Sequence, residues 1–201
     1  MKMPILVPNR DYRSFNSFEL SNAQKETEEK QYIVKGRAVI FNTPTCLYEY
    51  DGVKYFEIVD SRAFDGCDLS DVIFNYNHRG KVVARLRNNT LQLNIAQDGL
   101  YMEADLKGTV EGRNLFEEIE GGYIDKMSFS FSVQESAYDV DTHTRTITKI
   151  KKLYDVSAVD IPAYEETSIS ARSYFEEENS KEFRALEEAH RRKLLIAKTL
   201  L

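Results

Sequence analysis

The sequence predicts a mainly β (α+β) fold: a closed antiparallel β-barrel with flanking short helices and a C-terminal amphipathic helix. Three observations carry this expectation. Short runs rich in β-branched and aromatic residues recur from residue 11 to about 171, separated by turn residues, which is the pattern of barrels and sandwiches. A single internal stretch has helical spacing. From Ser173 onward the apolar residues instead recur at three- and four-residue steps. At 201 residues and 42% hydrophobic content the chain suits one domain with tails. The expected division is a flexible N-terminal arm (1–10), a barrel domain (11–172) and a helical appendage (173–201).

In chain order, Tyr32 to Phe41 is β-rich and ends at Asn42-Thr43-Pro44, a turn sequence. Tyr55 to Val59 is a second strand. Ser61 then offers an N-cap for a short helix holding Ala63 and Phe64. Val72 to Tyr76 and Val82 to Leu86 read as strands on either side of His78. Thr90 to Ile95 and Leu100 to Leu106 form a hairpin in which Asp98-Gly99 is expected to supply positive φ. Leu115, Phe116 and Ile119 mark a helix stopped by Gly121-Gly122. Residues 125–133 form a strand with Met127, Phe129, Phe131 and Val133 on one face and Ser128, Ser130 and Ser132 on the other, the alternation of a half-buried strand. Val133 to Tyr138 and Thr144 to Lys151 read as a hairpin, and Leu153 to Ile161 as the last strand, closed by Pro162. In the terminal segment Phe183, Leu186, His190, Leu194, Ala197 and Leu201 make the apolar stripe. Acidic residues stand early (Glu176 to Glu178) and basic ones late (Arg191 to Lys193), as the helix macrodipole favours.

Composition narrows the function. A net charge of −6 argues against affinity built on phosphate contacts, so nucleic acid is not an expected partner. Cys46 and Cys67 lack metal-like spacing and read as reduced thiols. The apolar N-terminal run is too short for a signal peptide and no later stretch could span a bilayer, so a soluble intracellular protein without metal or cofactor is expected.

The chemistry rests on a serine and a histidine carried by different strands, the pair that nucleophilic acyl transfer requires. Of three histidines, His143 falls at a hairpin tip where solvation is expected, and His190 falls on the terminal helix. His78 stands at a strand-to-loop rim before Arg79-Gly80, which makes it the candidate base. A base needs a group that fixes its tautomer. Asp155, a carboxylate in an otherwise apolar strand, is the first choice, with Asp160 on the opposite face as the alternative.

The order of Gly36-Arg37-Ala38-Val39-Ile40-Phe41-Asn42, Glu57 to Phe64, Asn77-His78 with Ala84-Arg85, Asp98-Gly99-Leu100, Gly122-Tyr123-Ile124, Met127 to Phe131, and Val156 to Val159 leading into Pro162-Ala163-Tyr164 resembles the prohead maturation proteases of tailed bacteriophages. These are serine proteases whose barrel is similar to that of the herpesvirus assemblins. The resemblance runs from about Arg13 to Arg172. It implies His78 as base, Ser128 as nucleophile and Asp155 as the acidic third member, with Ser130 standing where the family commonly has glycine. Backbone amides near Arg85 or the serine strand are the candidate oxyanion donors. The implied function is a serine endopeptidase, packaged inside the prohead in the host cytoplasm. It would cut the major capsid protein, the scaffold protein and the chain itself. Portal, prohead shell and a second copy of the chain are further candidate partners. The alternatives are a catalytically inactive barrel serving as scaffold or shell component, and a β-barrel binding module whose serine stripe is a solvated face.

Overall fold

The computed structural model describes residues 10–16, 18–20 and 31–160, and in the C-terminal segment 174, 175, 177, 178, 180, 181, 184, 185, 187–189, 191 and 192. The expected arm at 1–10 therefore falls almost wholly outside the described residues, and so does the whole apolar stripe from Phe183 to Leu201. The described residues of the terminal segment are helical.

The chain forms two open sheets rather than a closed barrel. The first has seven strands: β1 (Asp11–Asn16), β4 (Thr45–Tyr50), β5 (Val53–Val59), β6 (Ile73–Tyr76), β7 (Arg79–Arg85), β10 (Lys126–Asp139) and β11 (Thr144–Val159). Its main path runs β1-β10-β11-β5-β4, with the β6–β7 hairpin attached through β6 to β11. The second sheet joins β2 (Phe18–Leu20), β3 (Ile33–Ile40), β9 (Gly99–Asp105) and β8 (Leu91–Ile95) in that order. The expected all-antiparallel closure fails because β11 is double length. It pairs in parallel with β5 through Thr144–Ile147 and with β6 through Asp155–Ala158. Parallel pairing needs long crossovers that leave no local turn signature, and each sheet ends on strands that do not meet.

Several local expectations also change. The serine strand and its successor are one 14-residue strand bent by register shifts between Ser130 and Ser136, and the two final strands are likewise one. Thr45–Tyr50, not anticipated as a strand, is paired with β5 across Asp51-Gly52, both at positive φ. Ser61 caps no helix: residues 61–66 are turns, tied by the Asp60 carboxylate to the Arg62 amide. Gly99 needs its missing Cβ rather than a positive φ, since a Cβ there would lie 2.2 Å from the Val39 carbonyl of β3. Helix α1 (Val110–Glu120) is capped by Thr109 Oγ1, which accepts from the Gly112 amide at 2.8 Å, and stops at Gly122, φ 72°.

One apolar core joins the two sheets and α1. Phe129 and Phe131 stack at 4.6 Å inside it, with Phe74, Leu100, Leu115 and Val156 in the same cluster. Each such ring contributes roughly 1.5–3 kcal/mol by leaving water. A second cluster seats Phe175, fully buried, against Leu47 and Tyr55 on the β4–β5 hairpin. The two cysteines are free. Cys46 is exposed, whereas burial, with Asp68 nearby, pushes the Cys67 thiol up to about 11. Iodoacetamide at pH 8 should therefore alkylate Cys46 well before Cys67, as peptide mass mapping over time would record; equal rates would show Cys67 to be more open than it is here.

Candidate active site

The β6–β7 hairpin turns on two residues, Asn77 and His78, with φ of 51° and 55°. Two successive positive φ values suit the twist of a two-residue hairpin, and Asn tolerates that region well. Histidine thus occupies the turn itself rather than a loop beyond it. The Asn77 amide nitrogen donates to Asp160 Oδ1 and the Tyr76 hydroxyl to Asp160 Oδ2, both at 2.9 Å. Burial, followed by that carboxylate contact, pushes the Tyr76 phenol up. Asp160 therefore anchors the turn.

On β10 the alternation sorts two buried faces, not a buried and a solvated one. Every residue from Met127 to Ser132 is buried, with Ser128 and Ser130 fully so. The apolar face enters the core. The serine face lies under the His78 hairpin, and Ser128 and Ser130 sit opposite Ser157 and Asp155 of β11. His78 Nε2 is 2.7 Å from Ser128 Oγ, and Nδ1 is 2.5 Å from Asp155 Oδ1. The structure thus brings together the serine, the histidine and the first-choice carboxylate. Asp155 is 3% exposed, and a buried carboxylate is costly unless hydrogen-bonded, as it is here to His78 and Ser157.

Ser157 is the residue that the sequence reading passed over. Its Oγ accepts from the His78 backbone amide at 3.2 Å, lies 3.1 Å from Nδ1 and donates to Asp155 Oδ1 at 2.9 Å, with buried Asn75 as the other acceptor for its proton. The available signal was its spacing: two residues after Asp155 on a strand, it must share the carboxylate's face.

Ser128 Oγ has a second neighbour. It also lies 2.9 Å from the carbonyl oxygen of Arg13 on β1, which pairs antiparallel with β10 in the register Ser14↔Ser128. With a neutral ring the hydroxyl proton can go to Nε2; with an imidazolium, Nε2–H donates to Oγ and the hydroxyl turns to Arg13. The Tyr12 ring stands edge-on to His78 at 4.7 Å. Arg13 is buried and held by both carboxylate oxygens of Glu57. Burial alone would pull the guanidinium down, but the Glu57 pair, with Asp11 beyond, outweighs it and holds the group above its ordinary value. Arg145 Nη1 lies 3.4 Å from the same Glu57.

Other expectations shift here too. The Arg85 amide, one candidate oxyanion donor, is already donated to Thr90 Oγ1 at 2.9 Å. His143 is half-buried rather than solvated, 3.1 Å from the Tyr138 hydroxyl and packed on Tyr55. His190 lies outside the described residues. Among the described residues no group of three or more His, Cys, Asp or Glu could hold a metal ion, and no helix is long and apolar enough to cross a membrane.

A buried serine, a histidine within reach of its hydroxyl and a carboxylate on the far ring nitrogen form the arrangement that transfers a hydroxyl proton during acyl transfer. No curated protein matches the chain. Among solved structures it is similar to the bacteriophage T4 capsid assembly protease, gp21, at 11% identity and a TM-score of 0.44, covering 75% of this chain and 97% of that one. The family model of the caudovirus prohead serine proteases matches residues 18–182, beginning just after β1, and the chain is a protease belonging to that family.

Proposed function

We propose that the chain is the endopeptidase of prohead maturation, with Ser128 as nucleophile, His78 as base and Asp155 as the group that orients it. The observation that carries the reading is the unbroken hydrogen-bond path from Ser128 Oγ through both ring nitrogens of His78 to Asp155. Ser128 Oγ attacks the scissile carbonyl as Nε2 takes its proton. The tetrahedral species collapses, and the imidazolium protonates the departing amine. Water, deprotonated by the same imidazole, then releases the acyl chain. Asp155 keeps Nδ1 as the protonated nitrogen throughout.

The substrates in this reading are the scaffold protein and the major capsid protein, with self-cleavage as a further event. The enzyme acts inside the prohead, assembled in the host cytoplasm. Residues 11–172 form the protease domain, preceded by the 1–10 arm and followed by the 173–201 helical segment. Family membership supports the capsid role. Co-expression with the major capsid and scaffold proteins, followed by intact mass, tests it. Shortened capsid or scaffold chains are expected. Full-length partners inside shells that contain the folded protease would overturn it.

Ser157 is a positioning residue in this scheme, because it touches the backbone and ring of His78 and the Asp155 carboxylate. Removing a buried hydrogen bond to a charged group costs about 1–3 kcal/mol. Ser157→Ala should accordingly slow single-turnover cleavage about ten- to a hundredfold while the protein stays folded by circular dichroism. An unchanged rate would reduce Ser157 to packing.

A further inference from the structure

We propose that β1 occupies the place of the substrate on β10, and that the enzyme binds its substrates as an extended strand on the β10 edge after β1 has left. The inference rests on the reading of Ser128 as nucleophile.

Four observations converge. First, β1 is the terminal strand of its sheet, and Asp11–Asn16 runs antiparallel along residues 126–131, directly beside the serine. Second, this pairing seals the site: Ser128 is 0% exposed, its hydroxyl lies 2.9 Å from the Arg13 carbonyl oxygen, and Tyr12 covers His78. A nucleophile must approach a carbonyl carbon. Here the hydroxyl faces a carbonyl oxygen, so the contact is inhibitory and Arg13–Ser14 is not poised for cleavage. Third, Ser130 Oγ is buried on the same face without a hydrogen-bond partner among the described residues, opposite Tyr12 in the register. A buried hydroxyl left unpaired is unfavourable, so the closed arrangement carries a polar group that an incoming peptide can satisfy. Fourth, β1 precedes the stretch that matches the family.

Departure of β1 would turn β10 into an edge whose free amides and carbonyls pair with an extended peptide, the mode of strand addition. The substrate class is therefore a polypeptide segment that can lie extended across Ser128, recognised largely through its backbone. The latch is the Arg13–Glu57 ion pair, with Arg145 left to hold Glu57 once β1 is gone.

A reversible lock tests this in the full-length chain. Asn16 and Lys126 are Cα partners across the two strands. Asn16→Cys with Lys126→Cys, in a Cys46→Ser background, would tie β1 down when oxidised. The readout is the rate of fluorophosphonate labelling at Ser128. Labelling at least tenfold slower in the oxidised form, recovered by reductant, is expected. Equal labelling in both states overturns the strap and leaves the nucleophile standing. Labelling in neither state removes the nucleophile assignment and the strap together. Arg13→Ala gives an independent arm that needs no disulfide: it should label about tenfold faster than wild type, and a folded variant that labels no faster also overturns the proposal.

Discussion

Ser128→Ala should abolish processing of the capsid and scaffold proteins, lowering turnover by about 10⁴ to 10⁶ as nucleophile removal does in serine proteases. The size of the effect follows from covalent chemistry. Without Oγ no acyl-enzyme forms, and the intact His78–Asp155 pair has no proton to take. Stability should change little but measurably. Ser128 is fully buried and its hydroxyl lies against the Arg13 carbonyl, so its loss costs about 1 kcal/mol, visible as a small drop in melting temperature. Ser130→Ala is the informative partner. Its hydroxyl has no hydrogen-bond partner among the described residues, so removing it should leave stability unchanged or slightly higher, and labelling at Ser128 should persist. A cleaving Ser128→Ala beside an inert Ser130→Ala would move the nucleophile two residues along β10.

The contrast between these serines explains what could be read from the sequence. Strand alternation placed Ser128, Ser130 and Ser132 on one face, and that sorting holds. Alternation cannot say what covers a face, however. The serine face is buried because β11, the His78 hairpin and β1 converge over it, and each of those contacts spans dozens of residues of sequence. Closure of a barrel was inferred from strand number, which carries no information on parallel pairing. The double use of β11, alongside β5 and then β6, is a tertiary fact. Local signals did better where one residue decides the geometry: Gly122 ends α1 at positive φ. The two-residue turn at Asn77 and His78 was not legible, because the strand pattern around His78 reads equally as a strand running into a loop. Ser157 escaped notice because a serine in a strand has no distinguishing chemistry until its neighbour Asp155 is given a role.

Asp155→Asn should slow processing about 10² to 10⁴-fold without reaching the background of Ser128→Ala. Asn keeps the volume of the side chain but presents an amide that can donate to Nδ1. The ring would then carry its proton on Nε2 and could no longer accept one from Ser128. The pocket should tolerate the change structurally, because the Ser157 hydroxyl still finds an acceptor in Asn75. Asp160→Asn is expected to behave in the opposite way. Asp160 receives the Tyr76 hydroxyl and the Asn77 side-chain amide, so it acts on the hairpin turn and not on the imidazole. Weakening those bonds should lower stability by about 1–2 kcal/mol and leave cleavage within about tenfold of wild type. Single-turnover cleavage and thermal melting on both variants separate the two carboxylates. If Asp160→Asn proved the slow and well-folded one, turn geometry at Asn77 rather than tautomer control at Nδ1 would govern the base. If both cleaved normally, Ser128 and His78 would suffice as a dyad. Their 2.7 Å contact would then be held by the turn and by the Ser157 bond to the His78 amide, with no carboxylate required.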